Sequence, residues 1–213
     1  MPTPVDLIDF APTVRAFLDE LSQNNNRDWF RRQKGRYDAE VKRPAERLLD
    51  TIAPRLEAET GKPVRTKLFR PHRDVRFSED KTPYHVHLHA AWTVPDGRAW
   101  YFGLSPEYAT LGAGIMSFDE EQLENWREAV ASGAGNDLTA MLDDLDARIG
   151  EPELDEVPDP WEADHPNADL LRRKSLVVWL DGLFDALTPD PAQGLDPALD
   201  RLNGVQDWLA RNL

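Results

Sequence analysis

Apolar residues recur at helical spacing over the first sixty positions and then switch to alternation. Val14, Phe17, Leu18 and Leu21 mark a first helix over about Pro12 to Leu21. Asn24-Asn25-Asn26 ends it, and Asn26 is placed to cap a second helix opening Arg-Asp-Trp-Phe, with Trp29, Phe30 and Tyr37 inward. A third helix is expected over Pro44 to Glu59, with Leu48, Leu49, Ile52 and Leu56 inward. Pro44 suits its first turn, whereas Pro54 lies inside the pattern and predicts a kink or an early end. Gly61-Lys62-Pro63 reads as a turn.

From Val64 to about Phe118 the period is two. The expected strands are Thr66–Arg70, Arg73–Ser78, His85–Val94, Trp100–Ser105 and Thr110–Met116. Their connections are short and carry Pro and Gly, so successive strands should pair antiparallel as a meander. Helical spacing then returns. Ser117-Phe118-Asp119-Glu120 has the capping-box pattern for a helix through about Ala131, with Leu123, Trp126 and Val130 on one face. Asn136 opens a second such run, with Leu138, Met141, Leu142, Leu145 and Ile149 inward. Glu151 to Pro166 is acidic and proline-rich and reads as a long loop. Leu170 to Lys174 reads as a short helix, and Ser175–Leu180 as a strand returning to the sheet. Pro197 to Leu213 closes the pattern as a helix. The fold class expected is α+β: a meander of about five strands flanked by helices at both ends. We expect one domain over 1–213, with N-terminal helices over 12–60, the sheet over 64–118 and a helical part over 119–213.

Composition narrows the chemistry. With 213 residues, 40% hydrophobic and 30% charged, the balance is that of a globular rather than a disordered chain. There is no cysteine, which removes disulfides, thiolate catalysis and cysteine-ligated metal. No apolar run approaches the ~20 residues that span a bilayer. MPTPVDLIDFAPTV shows neither a basic nor an apolar secretory region, so a cytoplasmic location is expected. The net charge of −14 is uneven. From Arg27 to His85 there are 16 Lys and Arg against 10 Asp and Glu, a balance of +6; the remainder carries 9 against 29, a balance of −20. The basic segment suits a small anionic ligand, or is simply a solvated surface, while the acidic bulk opposes a nucleic-acid backbone.

The densest chemistry lies in RDVRFSEDKTPY, Arg73 to Tyr84. If Arg73–Ser78 and His85–Trp92 form a hairpin, strand parity puts Val75 and Phe77 with Val86, Leu88, Ala90 and Trp92 on an apolar side. The opposite side collects Asp74, Arg76, Ser78, His85, His87 and His89. A register matching both faces sets Ser78 against His85, Arg76 against His87 and Asp74 against His89.

Three uses of that face compete. It is a solvated sheet surface, with cross-strand pairs worth roughly 0.2–1 kcal/mol each. Or it is an anion pocket, in which Arg76, with Arg70, Arg73 or Lys81, offers forks or point charges to carboxylate or phosphate. Or it is a metal site: alternate strand residues lie about 6.8 Å apart, so two of His85, His87 and His89 can share one ion and three cannot. Asp74, Asp80 and His87 are the candidate acid–base groups. The connection Glu79 to Tyr84 is explained as a turn, with Asp80 bonding its own backbone and Pro83 extending Thr82. Glu79-x-Lys81 matches only half of a metal-dependent nuclease pattern. Gly112-x-Gly114, inside a strand pattern, reads as a bulge or close backbone approach rather than a phosphate loop.

Phe17-Leu18, Asn25, Trp29-Phe30, Tyr37 and Pro44 precede RDVRFSEDKTPYHVHL, and Gly112-Ala113-Gly114 and Leu123 to Arg127 follow in order. Over about residues 13 to 180 this resembles a microbial domain-of-unknown-function family, number 2461. The resemblance implies one α+β domain and marks Arg73, Asp74, Arg76, Ser78, Asp80, Lys81 and Tyr84 as motif positions; it carries no activity. The chain departs from the pattern where His85 replaces a typical lysine, and where acidic ELDEVPDPWEADHP replaces a basic stretch. The leading expectation is therefore a small anionic ligand held by Arg73, Arg76, Ser78, Lys81 and Tyr84. A metal-assisted enzyme using His85, His87 and His89, and a non-catalytic protein-interaction module, are the alternatives; no cofactor is named.

Overall fold

The computed structural model describes residues 7–213. The reading of the N-terminus as lacking a secretory signal rests partly on residues 1–6, outside the described residues. Among these residues the fold is α+β, with an antiparallel six-stranded sheet in the order β1-β2-β3-β4-β6-β5. The strands are β1 Arg65–Leu68, β2 Leu88–Thr93, β3 Ala99–Leu104, β4 Ala109–Ile115, β5 Arg148–Ile149 and β6 Leu176–Leu180. The first four form a meander, but without the expected strand Arg73–Ser78, so that β1 pairs directly with β2. The Ser175–Leu180 run does return to the sheet, as β6 beside β4. Two compact units are distinguished: residues up to Thr93 with Tyr101–Thr110 and Gly182–Asp196, and residues Val94–Trp100 with Leu111–Asp181 and Pro197–Leu213.

In the first unit, α1 (Phe10–Gln23) buries Val14, Phe17, Leu18 and Leu21, the stripe its spacing predicts. Asn26 caps α2 (Arg27–Tyr37), its side chain accepting from the Trp29 amide at 3.0 Å. Phe30 and Tyr37 are buried and Trp29 half-buried. α2 does not end before Pro44. It passes through a π-helical turn, Asp38–Lys42, into α3 (Arg43–Thr60). The Arg43 amide reaches back five residues to Asp38, and Pro44, with no N–H to give, follows directly. Nor does Pro54 end α3. Burial of Ile52 and Leu56 on either side offsets the ~3 kcal/mol that an internal proline costs. The helix stops at Gly61, whose φ of 64° suits the left-handed cap. α3 packs on the face of β2 that carries Trp92, whose indole donates to the Leu49 carbonyl at 2.9 Å.

In the second unit, the capping box is real but shifted. Asp119, not Ser117, caps α4 (Glu120–Val130), with Gln122 as its reciprocal partner. Ser132 caps α5 (Gly133–Leu145), three residues before the expected start, and Ile149 sits in β5 rather than in that helix. Asn167 ties the acidic loop to these helices, donating to Val130 and Asn136 and accepting from Thr139. The expected short helix is α6 (Ala168–Leu171). After α7 (Pro191–Gly194), which belongs to the first unit, α8 (Asp196–Asn212) buries Leu199, Leu202, Val205, Trp208 and Leu209. Gly112 and Gly114 pair with Trp179 and Val177 of β6. A Cβ on Gly114 would lie 1.9 Å from the Leu176 carbonyl oxygen, so this glycine pair is a close strand approach.

Candidate functional site

The hairpin that carries the motif is not the expected one. β1 pairs with β2, with Leu68 opposite Ala90, and the ladder continues through Phe69 N–H to the His89 carbonyl at 2.9 Å. Only two residues then separate Phe69 from His72, against four between Tyr84 and His89, so the second strand bulges before His72 bridges Tyr84. Arg73 and His85 close this bridge by backbone bonds to Pro83 and Pro71. Residues 74–82 form the loop at the tip. Arg73–Ser78 is therefore no strand, and Ser78–His85, Arg76–His87 and Asp74–His89 are not paired. Phe77, expected on the apolar side, is 96% exposed.

Local side-chain bonds explain the difference. Asp74 accepts from the Arg76 amide at 3.2 Å and Asp80 from the Thr82 amide at 2.9 Å, turning the backbone where a strand would extend it. The Arg76 guanidinium closes a fork on the same Asp74, at 2.9 and 2.6 Å. Arg73 binds Asp80 and the Thr82 hydroxyl. Held by the Thr82 amide first and Arg73 next, the Asp80 carboxyl is pulled down to about 2. Asp74 is lowered by Arg76. Lys81 donates to the Val75 carbonyl at 3.1 Å, and Ser78 is half-buried in the same loop. The motif's charges are thus spent largely on shaping the loop.

Tyr84 is the motif's anchor in the core. Asn25 clamps both of its backbone groups, donating to its carbonyl at 2.9 Å and accepting from its amide at 3.1 Å. The Tyr84 ring stacks on Phe30 at 4.0 Å and meets His72 edge-on at 5.0 Å.

The three histidines lie close together, although residues 85–87 precede β2 and are not in a strand. Their rings form a row, 4.7 Å from His85 to His87 and 3.8 Å from His87 to His89. His89 Nε2 hydrogen-bonds the Tyr108 hydroxyl at 2.9 Å, beside Gly103, where a Cβ would crowd Thr110, Tyr108 and His89. Burial, then the neighbouring imidazoles and Arg73, pushes His87 down to about 4; burial lowers His85 and His89 too. Burial thus disfavours the charged form of all three. Parallel rings direct their in-plane lone pairs side by side, so two of them converge on one ion only if a ring turns. No group of three or more His, Asp or Glu side chains able to hold a metal occurs among the described residues.

A cleft of about 250 Å³ opens where α2, the π turn and the start of α3 face residues 68–72. Phe30, Tyr37, Phe69 and His72 provide its aromatic walls, and Lys34, Lys42 and Arg70 its cations, with Glu46 the carboxylate among them. Lys34 pairs with Asp38, and Lys42 with Glu46 at 3.6 Å. Arg70 has no ion pair with a described residue, though its charge helps lower Asp74. Lys34 lies 5.7 Å over the Tyr37 ring and Lys67 lies 4.5 Å over that of Phe69. Behind the cleft, a void of about 10 Å³ shares Tyr37, Leu68, Phe69 and Pro71 with it and is bounded by His85 and His87.

Of the residues singled out from sequence as ligands, Arg73, Asp80, Lys81, Asp74 and Arg76 meet in the tip loop, Tyr84 in the aromatic anchor, and the histidines in their row. Only Arg70 reaches the cleft. Lys34, Lys42, Phe69 and His72 were missed, although Phe30, Lys34 and Tyr37 fall at i, i+4 and i+7 and so share one helix face. No described helix is long and apolar enough to cross a membrane. Residues 13–198 match the family described as conserved hypothetical protein (DUF2461), and no curated protein matches the chain.

Proposed function

The chain belongs to the DUF2461 family, and from that premise we propose that it binds a small anionic ligand in the cleft beside the motif hairpin. One observation carries the proposal: Lys34, Lys42 and Arg70 line an aromatic-walled cleft, and Arg70 there makes no ion pair with a described residue. A guanidinium fork matches carboxylate or phosphate with two parallel hydrogen bonds, which makes Arg70 the orienting group and the lysines the supporting charges. The tip loop is the weaker place for the anion. The Arg76 fork is filled by Asp74, Arg73 is engaged by Asp80, and Lys81 is committed to the Val75 carbonyl. In this reading the motif works at one remove: the Tyr84–Phe30–His72 cluster, held by Asn25, fixes the strand segment that presents Arg70. The cleft falls below the ~300–1,000 Å³ of pockets for drug-sized ligands, so the ligand is small.

Thermal-shift screening of the full chain against small carboxylates and phosphates tests the proposal. A ligand that binds only the folded state raises the midpoint as its concentration passes Kd. At least one anion should do so, and Arg70→Ala should abolish the shift while Arg76→Ala leaves it. An unchanged shift in Arg70→Ala, or no shift with any anion, rejects the cleft.

A further inference from the structure

We infer that the ligand carries a flat ring beside its anionic group, an aromatic carboxylate or aryl phosphate rather than a bare inorganic or aliphatic anion; this rests on the anion-binding reading. Phe69 lines the cleft and yet is 42% exposed, just past the end of β1. Lys67 lies 4.5 Å over its ring, so the side chain is held by a cation at the cleft's edge.

The opposing wall is rigid. Phe30 is 3% exposed, stacked at 4.0 Å on Tyr84 and tilted at 5.2 Å against Tyr37. His72 closes the same cluster, its ring edge-on to Phe30 at 6.1 Å. An aliphatic anion would satisfy Arg70 and leave the exposed rings of Phe69 and His72 wet. A single ring covers them, and gains both from apolar area removed from water and from ring-to-ring geometry. The neighbouring cations add attraction to a ring face that a bare anion does not have. A cleft of about 250 Å³ suits one ring and one charged group.

Titration calorimetry on the full chain compares acetate with benzoate, and inorganic phosphate with phenyl phosphate. We expect the ring-bearing member of each pair to bind at least tenfold tighter. Phe69→Ala should cut that ratio to about threefold or less; Arg70→Ala should weaken all four. Phe69→Leu, which keeps apolar volume without a ring, should give an intermediate ratio and serves if the alanine variant fails to fold. Equal affinities within each pair, or ratios untouched by both Phe69 variants, overturn the inference and leave anion binding standing. No binding by any of the four overturns both.

Discussion

Replacing Asn25 with alanine should destabilise the protein by about 2–3 kcal/mol. The side chain makes two hydrogen bonds, 2.9 Å to the Tyr84 carbonyl and 3.1 Å from its amide. Each is worth about 1 kcal/mol net, but a buried polar group left without a partner costs about 1–3 kcal/mol. Tyr84 is 6% exposed and covered by Phe30, so water is poorly placed to replace both bonds. For a chain of this size 1 kcal/mol moves the thermal midpoint by about 2–4 °C, so a fall of about 4–12 °C is expected. Urea denaturation followed by tryptophan fluorescence measures the change directly, with the slope checked for constancy. Asn25→Asp keeps an acceptor for the amide but sets a carboxylate oxygen against the carbonyl, so it should be no milder than the alanine change. Asn24→Ala is the control: its amide donates to the Glu20 carbonyl on an exposed surface, and its loss should cost well under half as much. If Asn25→Ala costs less than about 0.5 kcal/mol, the clamp does not hold Tyr84, and the role given to the motif's anchor is wrong.

Three further outcomes follow from the geometry. Phe77→Ser should change stability by no more than about 0.5 kcal/mol in urea denaturation, because the ring is 96% exposed; a buried phenylalanine would cost several times more. Gly114→Ala should cost about 2 kcal/mol or more by the same assay, since its Cβ would meet the Leu176 carbonyl and its φ of 144° is strained for alanine. His87 titrates near 4 in the folded protein against about 6.5 in the unfolded chain. The unfolded state therefore takes up its proton first, so the stability contribution is whole above pH 6.5 and is lost as pH falls towards 4. Urea midpoints measured from pH 7 to 4 should fall, and His87→Phe should flatten that decline; an NMR titration placing His87 above 6 would contradict it.

The helices were legible because their apolar stripes and caps are local. Asn26 and the α1 stripe needed nothing but their own neighbours, as did the β3 and β4 alternation between Pro- and Gly-marked turns. The motif was misread for a physical reason. Val75 and Phe77 alternate with polar residues as a strand would, yet Asp74 and Asp80 offer the backbone nearer partners than a distant strand can. Arg73–Ser78 matches the second strand by parity on both faces, and no local pattern says that Arg65–Leu68 pairs there instead. The rings of His85, His87 and His89 come together in a row although residues 85–87 lie outside any strand, so their closeness owes to the bulge rather than to strand parity. The cleft was out of reach because Phe30 and Lys34 stand roughly forty residues from Phe69 and Arg70, and only the tertiary structure brings them to one opening.

The most direct test of the central claim is a crystal structure of the protein soaked with benzoate. A carboxylate within hydrogen-bond distance of the Arg70 guanidinium is expected, with the ring between Phe69 and the Phe30–His72 wall. Benzoate bound instead at the 74–82 loop or along the histidine row, with the cleft empty, would contradict it.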